Sequence, residues 1–151
     1  MSFVLFFIKV FVFNVLFSKL LGLALTPFMN QGLALQPTAV AGAGSRQKIS
    51  PPDAIAFAVV IALCFAQGLS VAAALGLSLQ AHPEAWRPLW YLVGVGSFFP
   101  VSFAAYPKED TRARTGQVLG YVASVGGYLL ASFWPAVVPG VLLHVSRLLS
   151  V

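Results

Sequence analysis

Two histidines, one cysteine and four carboxylates are all that these 151 residues offer for metal ligation, haem ligation or proton transfer. Metal and haem sites need imidazole, thiolate or carboxylate groups held close together. His82 falls in a connecting segment and His144 in the C-terminal tail, so spacing pairs neither with a second ligand. A single imidazole can ligate a haem or a chlorophyll, which keeps His144 as a candidate cofactor-binding residue; contact with lipid headgroups is the plainer reading. Cys64, alone in the chain, excludes an intrachain disulfide and a cysteine-only metal site and reads as a small packing residue. No two acids share an apolar run, no glycine-rich phosphate loop precedes a helix, and no serine–histidine constellation is supported by spacing. No catalytic residue and no metal ligand set emerges, and the expectation is a protein that is not an enzyme.

The elements that would position these residues are unusually apolar. Hydrophobic residues make up 59% of the chain and charged residues 9%, against about 25% charged in an average soluble domain. The apolar residues come in runs long enough to cross a hydrocarbon core, which takes about 20 residues as a helix. A soluble bundle would need charged outer faces, and these runs have none. The net charge of +5 is not gathered on an amphipathic face, so nucleic acid is not an expected partner. The cations read instead as membrane topology and contacts with anionic phospholipids. The fold class expected is all-α: a polytopic integral membrane protein of four transmembrane helices plus a short C-terminal interfacial helix, in one membrane domain, 1–151.

The first span covers 3–25 and ends at Thr26-Pro27, because proline cannot continue a helix. Lys9 and Lys19 lie inside its apolar run, unlike the basic start of a cleaved signal peptide, so an uncleaved anchor is expected. A linker, 28–52, follows, rich in Gly, Ala, Pro and Gln. Ser50-Pro51-Pro52-Asp53 then offers an N-cap, a first-turn proline and an acid suited to the helix dipole, opening a second span over 53–79. Past His82-Pro83-Glu84, a third span covers 84–106. Trp86, Trp90 and Tyr91 stand at its start and Tyr106 at its end, as interfacial aromatic belts do. Pro100 should kink it. A segment of mixed charge, 107–114, leads to a fourth span over 115–134. Pro135 and Pro139-Gly140 break the pattern before the tail, 141–151. There Leu142, Leu143, Leu148 and Leu149 are expected in lipid, with His144 and Arg147 toward headgroups.

Within the spans, small residues recur at a helical stride. Ala54, Ala58, Ala62, Ala66, Ser70, Ala74 and Ser78 form one ladder, and Gly68, Ala72 and Gly76 a second. Residues four apart share one side of a helix, and small side chains there let membrane helices approach closely. The fourth span repeats the device with Gly116, Gly120 and Ser124, and with Ala123, Gly127 and Ala131. The second and fourth spans are expected to meet along these strips. A stride of four drifts ~40° per step, so one straight partner cannot cover so long a ladder, and the surplus points to a second subunit. Polar residues interrupt the apolar runs. Gln67 is expected to make an interhelical hydrogen bond. Lys9 either snorkels to the headgroups or, with Asn14 and Ser18, faces a partner or a polar cavity.

Counting loop cations, Arg46, Lys48, Lys108, Arg112 and Arg114 lie on one side, with Arg87 and Arg147 on the other. That places the first and third loops on the cytosolic, matrix or stromal side and both termini opposite. The leading functional expectation is a non-catalytic structural or accessory subunit of a multi-subunit membrane complex, of the respiratory or photosynthetic energy-transducing kind. It would sit in a mitochondrial inner, thylakoid or bacterial inner membrane. Its partners would be other membrane protein subunits and structural lipids, with haem or chlorophyll as further ligands. The alternative is a small homo-oligomeric transporter or channel whose path is lined by Gln67, Lys9, Asn14 and the Pro100 kink. A third reading starts from Tyr106–Gly120, which resembles the third-loop region of the membrane-associated eicosanoid and glutathione metabolism enzymes. That likeness would imply a glutathione-transferase-type membrane enzyme using Arg112 or Arg114. The Asn, Glu and Arg those enzymes carry near the start of the second helix are missing from Ile49-Ser50-Pro51-Pro52-Asp53, so no family is assigned.

Overall fold

In a computed structural model, the structure describes residues 2–34, 51–98 and 111–151, with side chains described for 2–24, 54–98 and 116–151. Five α-helices account for nearly all of these: α1 Ser2–Ala34, α2 Pro51–Ala81, α3 Arg87–Gly96, α4 Thr111–Phe133 and α5 Gly140–Leu149. A single 3-10 turn, Pro135–Val137, separates the last two, and no strand occurs among the described residues. Two stretches, Ser2–Ala24 of α1 and Ala54–Ala81 of α2, are long and apolar enough to cross a membrane.

Several boundaries differ from those expected. α1 does not stop at Thr26-Pro27 but runs on to Ala34, taking the first residues assigned to the linker. Pro27 removes a single backbone donor, and the helix continues past it. α3 starts at Arg87 rather than Glu84, because Trp86 is the extended N-cap and Pro88 fits the first turn. After ten helical residues it closes on Ser97, whose N–H donates to the Val93 carbonyl at 2.9 Å. Continuation to Tyr106, the Pro100 kink and the remainder of the linker lie outside the described residues. So do the Ser50 and Asp53 caps, and the side chains of Arg112 and Arg114. α4 begins at Thr111, a turn ahead of Thr115.

The helices pack around α2. α1 runs antiparallel to it: Phe3 and Phe6 stand against Trp90 beside the end of α2, with ring centroids 5.4 and 5.2 Å away, while Asn14 lies level with Gln67. α3 descends from the same end and brings Ser97 to that level. α4 is parallel to α2, since Gly116 sits by Phe57, Gly120 by Cys64 and Ser124 by Gly68. The α2–α4 contact is backbone to backbone. A Cβ on Gly68 would collide with the Ser124 carbonyl, and one on Gly127 with the Phe65 carbonyl. Phe6, Val10, Leu69, Val71, Leu75, Trp90, Phe98, Tyr128 and Leu149 fill the core.

The tail is where expectation and structure part most clearly. α5 packs lengthwise on the C-terminal half of α2, where Ser146 is fully buried and donates to the Ser70 carbonyl at 2.9 Å. Leu149 is a core residue, not a lipid-facing one, and Leu142 and Leu143 are half-buried against the core. Leu148, Arg147 and His144 are exposed. The residues that dock α5 are serines, which a reading by hydrophobic period passes over.

Candidate functional site

Polar side chains from four helices converge halfway along α2. Gln67 has thirteen residues of the apolar stretch Ala54–Ala81 before it and fourteen after it. Its side-chain NH2 donates to the Asn14 Oδ1 of α1. Its Oε1 accepts from the Ser124 hydroxyl of α4 at 3.4 Å. The Asn14 NH2 donates in turn to Ser97 just past α3, to Oγ at 2.9 Å and to the carbonyl at 3.3 Å. The Ser97 hydroxyl donates to the Gly94 carbonyl at 2.9 Å. All four side chains are buried, Asn14 completely.

Local sequence explains why the four can meet. Gly68 beside Gln67, and Gly127 one turn beyond Ser124, bring α2 and α4 into backbone contact, so a short serine can reach the amide. Gly94 lets α3 lie against the Tyr128 ring, where a Cβ would stand 2.8 Å from Cε2; the Tyr128 hydroxyl donates to the Tyr91 carbonyl at 3.3 Å. An unpaired polar group in an apolar interior costs several kcal/mol. Among the described residues, no buried side-chain nitrogen or oxygen lacks a partner. The cluster holds two amides and two hydroxyls, none of which exchanges protons near neutral pH. It can join helices; it carries no acid or base.

A second set of bonds closes the end of the bundle where α2 finishes. The Lys9 amino group donates to the Ser150 carbonyl, the C-cap of α5, at 2.8 Å. The Val151 N–H donates to the Ser78 hydroxyl at 3.0 Å, and that hydroxyl donates to the Ala74 carbonyl at 2.8 Å. A cation at a helix C-terminus suits the dipole there.

The residues singled out by sequence therefore divide. Asn14 and Gln67 are brought together, whereas Lys9 is held apart from them, and Ser18 is half-buried outside the cluster. His144 is exposed on α5, and among the described residues no three His, Cys, Asp or Glu side chains form a group fit to hold a metal. The long ladder splits as well. Ala54, Ala58 and Ala62 are exposed, Ala66 is half-buried, and Ser70, Ala74 and Ser78 are buried, with Ser70 and Ser78 bonded to the α5 segment rather than to α4. α4 meets the face that carries Gly68. Gly76 is exposed with nothing close to it. Sequence reasoning missed Ser97, Ser146 and Ser150. Their signal was a hydroxyl inside or just after a short apolar helix, which is indistinguishable from a solvated helix end until the fold is known. No family model, no curated protein and no solved structure matches this chain.

Proposed function

We propose that the protein is a four-span integral membrane protein serving as a non-catalytic, structural subunit of a larger membrane assembly, of the respiratory or photosynthetic energy-transducing kind. The observation that carries this reading is the closure of the central cluster. Asn14, Gln67, Ser97 and Ser124 direct their hydrogen bonds to one another, to backbone and, at Ser124, to Cys64, and are buried. Outside it, exposed apolar side chains such as Leu16, Leu20, Leu23, Ile55 and Val122 cover α1, the first half of α2 and α4. Polar groups turned inward and apolar groups outward suit a helix bundle in lipid. The structural role follows from the exposed small residues Ala54, Ala58 and Ala62, which leave room for another helix to come close.

The transporter reading is weaker on the same grounds. A path lined by Asn14 and Gln67 needs their polar atoms free for a permeant, and here they are spent on each other. The first helix belongs to the working protein in this proposal: without α1, Gln67 and Ser97 would both lose their Asn14 partner.

Gentle solubilisation of native membranes followed by size measurement tests the assignment. Migration with a large complex of several different subunits is the expected result, and a lone monomer or small homo-oligomer would sink it. Flux in reconstituted vesicles that disappears in Gln67→Leu would favour transport instead. Intact mass of the membrane-extracted chain should include α1; a mass lacking it would show the first helix to be a removed leader.

A further inference from the structure

We propose that the seam between the start of α1 and the end of α5 binds the headgroup of an anionic phospholipid through Lys9 and Arg147. The inference rests on the membrane reading above and adds the ligand and the residues. Lys9 is half-buried, and its bond to the Ser150 carbonyl fixes the amino group at the C-cap of α5. An ammonium has three donors, so two N–H groups remain for a ligand. Arg147 is exposed in the last turn of the same helix, and its carbonyl accepts from the Ser150 hydroxyl at 2.9 Å, which ties the turn together. Among the described side chains Glu84 is the sole carboxylate, and it faces His82 at 3.4 Å rather than either cation.

Depth selects the ligand. With the bilayer centred on Gln67, the eleven-residue step to Ser78 rises ~16 Å at 1.5 Å per residue. Half of a ~30 Å hydrocarbon core is ~15 Å. The Lys9–Ser150 bond lies at the level of Ser78, because Val151 bonds to that serine. The Lys9 amino group therefore falls where lipid phosphates begin; Arg147, next to Ser146 and so about a turn deeper, reaches that depth by extending its long side chain. Below them, Val12 and Leu16 continue the Lys9 side of α1 toward the bilayer centre and are exposed, an apolar surface for acyl chains.

The test uses the full chain in vesicles of equal phosphatidylglycerol and phosphatidylcholine, with retained lipid read by native mass spectrometry after detergent release. At about five-fold per cation, the parent should favour phosphatidylglycerol by at least ~10-fold. Arg147→Gln should lower the preference about five-fold, and Lys9→Gln with Arg147→Gln should bring it to parity. Arg87→Gln, on the α3 side of the same end and outside the proposed site, should leave the preference unchanged. Arg147 is exposed, so its variant keeps the test valid even where the Lys9 variant does not fold. Parity in the parent, an unchanged preference in Arg147→Gln, or full displacement by inorganic phosphate each overturns the site. Release of the parent by alkaline carbonate would overturn the membrane reading itself and this site with it. Carbonate resistance without lipid preference overturns the site alone.

Discussion

At the midpoint of α2 one amide holds two other helices, its NH2 donating to Asn14 and its Oε1 accepting from the Ser124 hydroxyl. Interhelical hydrogen bonds in membranes couple by ~0.6 kcal/mol on average and by at most ~1.7 kcal/mol. A double-mutant cycle of Asn14→Leu and Gln67→Leu, read by thermal unfolding in detergent, should give a coupling inside that range; zero coupling would mean the amides are solvated. Glycines make a sharper contrast. Gly68→Ala pushes a methyl into the Ser124 carbonyl and should cost at least ~1–3 kcal/mol, the range for overpacking. Gly76→Ala meets nothing within 4 Å and should be neutral or stabilise by up to ~1 kcal/mol, because glycine is a poor helix former. The same unfolding assay ranks the two, and equal effects would contradict the close α2–α4 contact.

Among the elements, α2 has two unlike halves: its first turns are mostly exposed, while Gln67 to Leu79 is buried nearly throughout. Leucine placed in each half should report differently. Ala74→Leu enters a fully buried position and should destabilise the isolated protein by ~1–3 kcal/mol. Ala62→Leu should leave the isolated protein's unfolding unchanged yet loosen its assembly, seen as a shift to smaller size in native separation. The apolar stretches of α1 and α2 were legible in the sequence because a helix apolar on every side leaves a long, uninterrupted run. The strides of Gly68 and Gly127 showed that close approach was available. They did not show which face each partner would take, since a stride of four winds around the helix. The docking of α5 was hidden for another reason. Ten residues with His144 and Arg147 on an exposed side have the periodicity of a helix lying in an interface, and only Ser70 and Ser78, far away in sequence, distinguish the two placements.

For the whole molecule, α5 makes the bundle more self-sufficient than the small-residue count implied. Much of the ladder surface assigned to a second subunit is covered from within the chain, and among the described residues Ala54, Ala58, Ala62 and Gly76 stay exposed. Ser146→Ala removes the bond to the Ser70 carbonyl and should lower stability by ~0.5–1.5 kcal/mol. Limited proteolysis should then cut near Pro135–Val137 sooner than in the parent, and an unchanged cutting rate would show that α5 is held by its apolar contacts alone.

The bond from Lys9 to Ser150 joins residues 141 positions apart. Ribosomes add roughly 5–20 residues per second, so the amino group on the first helix is made ~7–28 s before its carbonyl partner exists. Until then the Lys9 amino group must be solvated or bonded to another acceptor. The seam between α1 and α5 can therefore close only once α5 has been made, and a ribosome stalled before α5 should leave α1 without that bond.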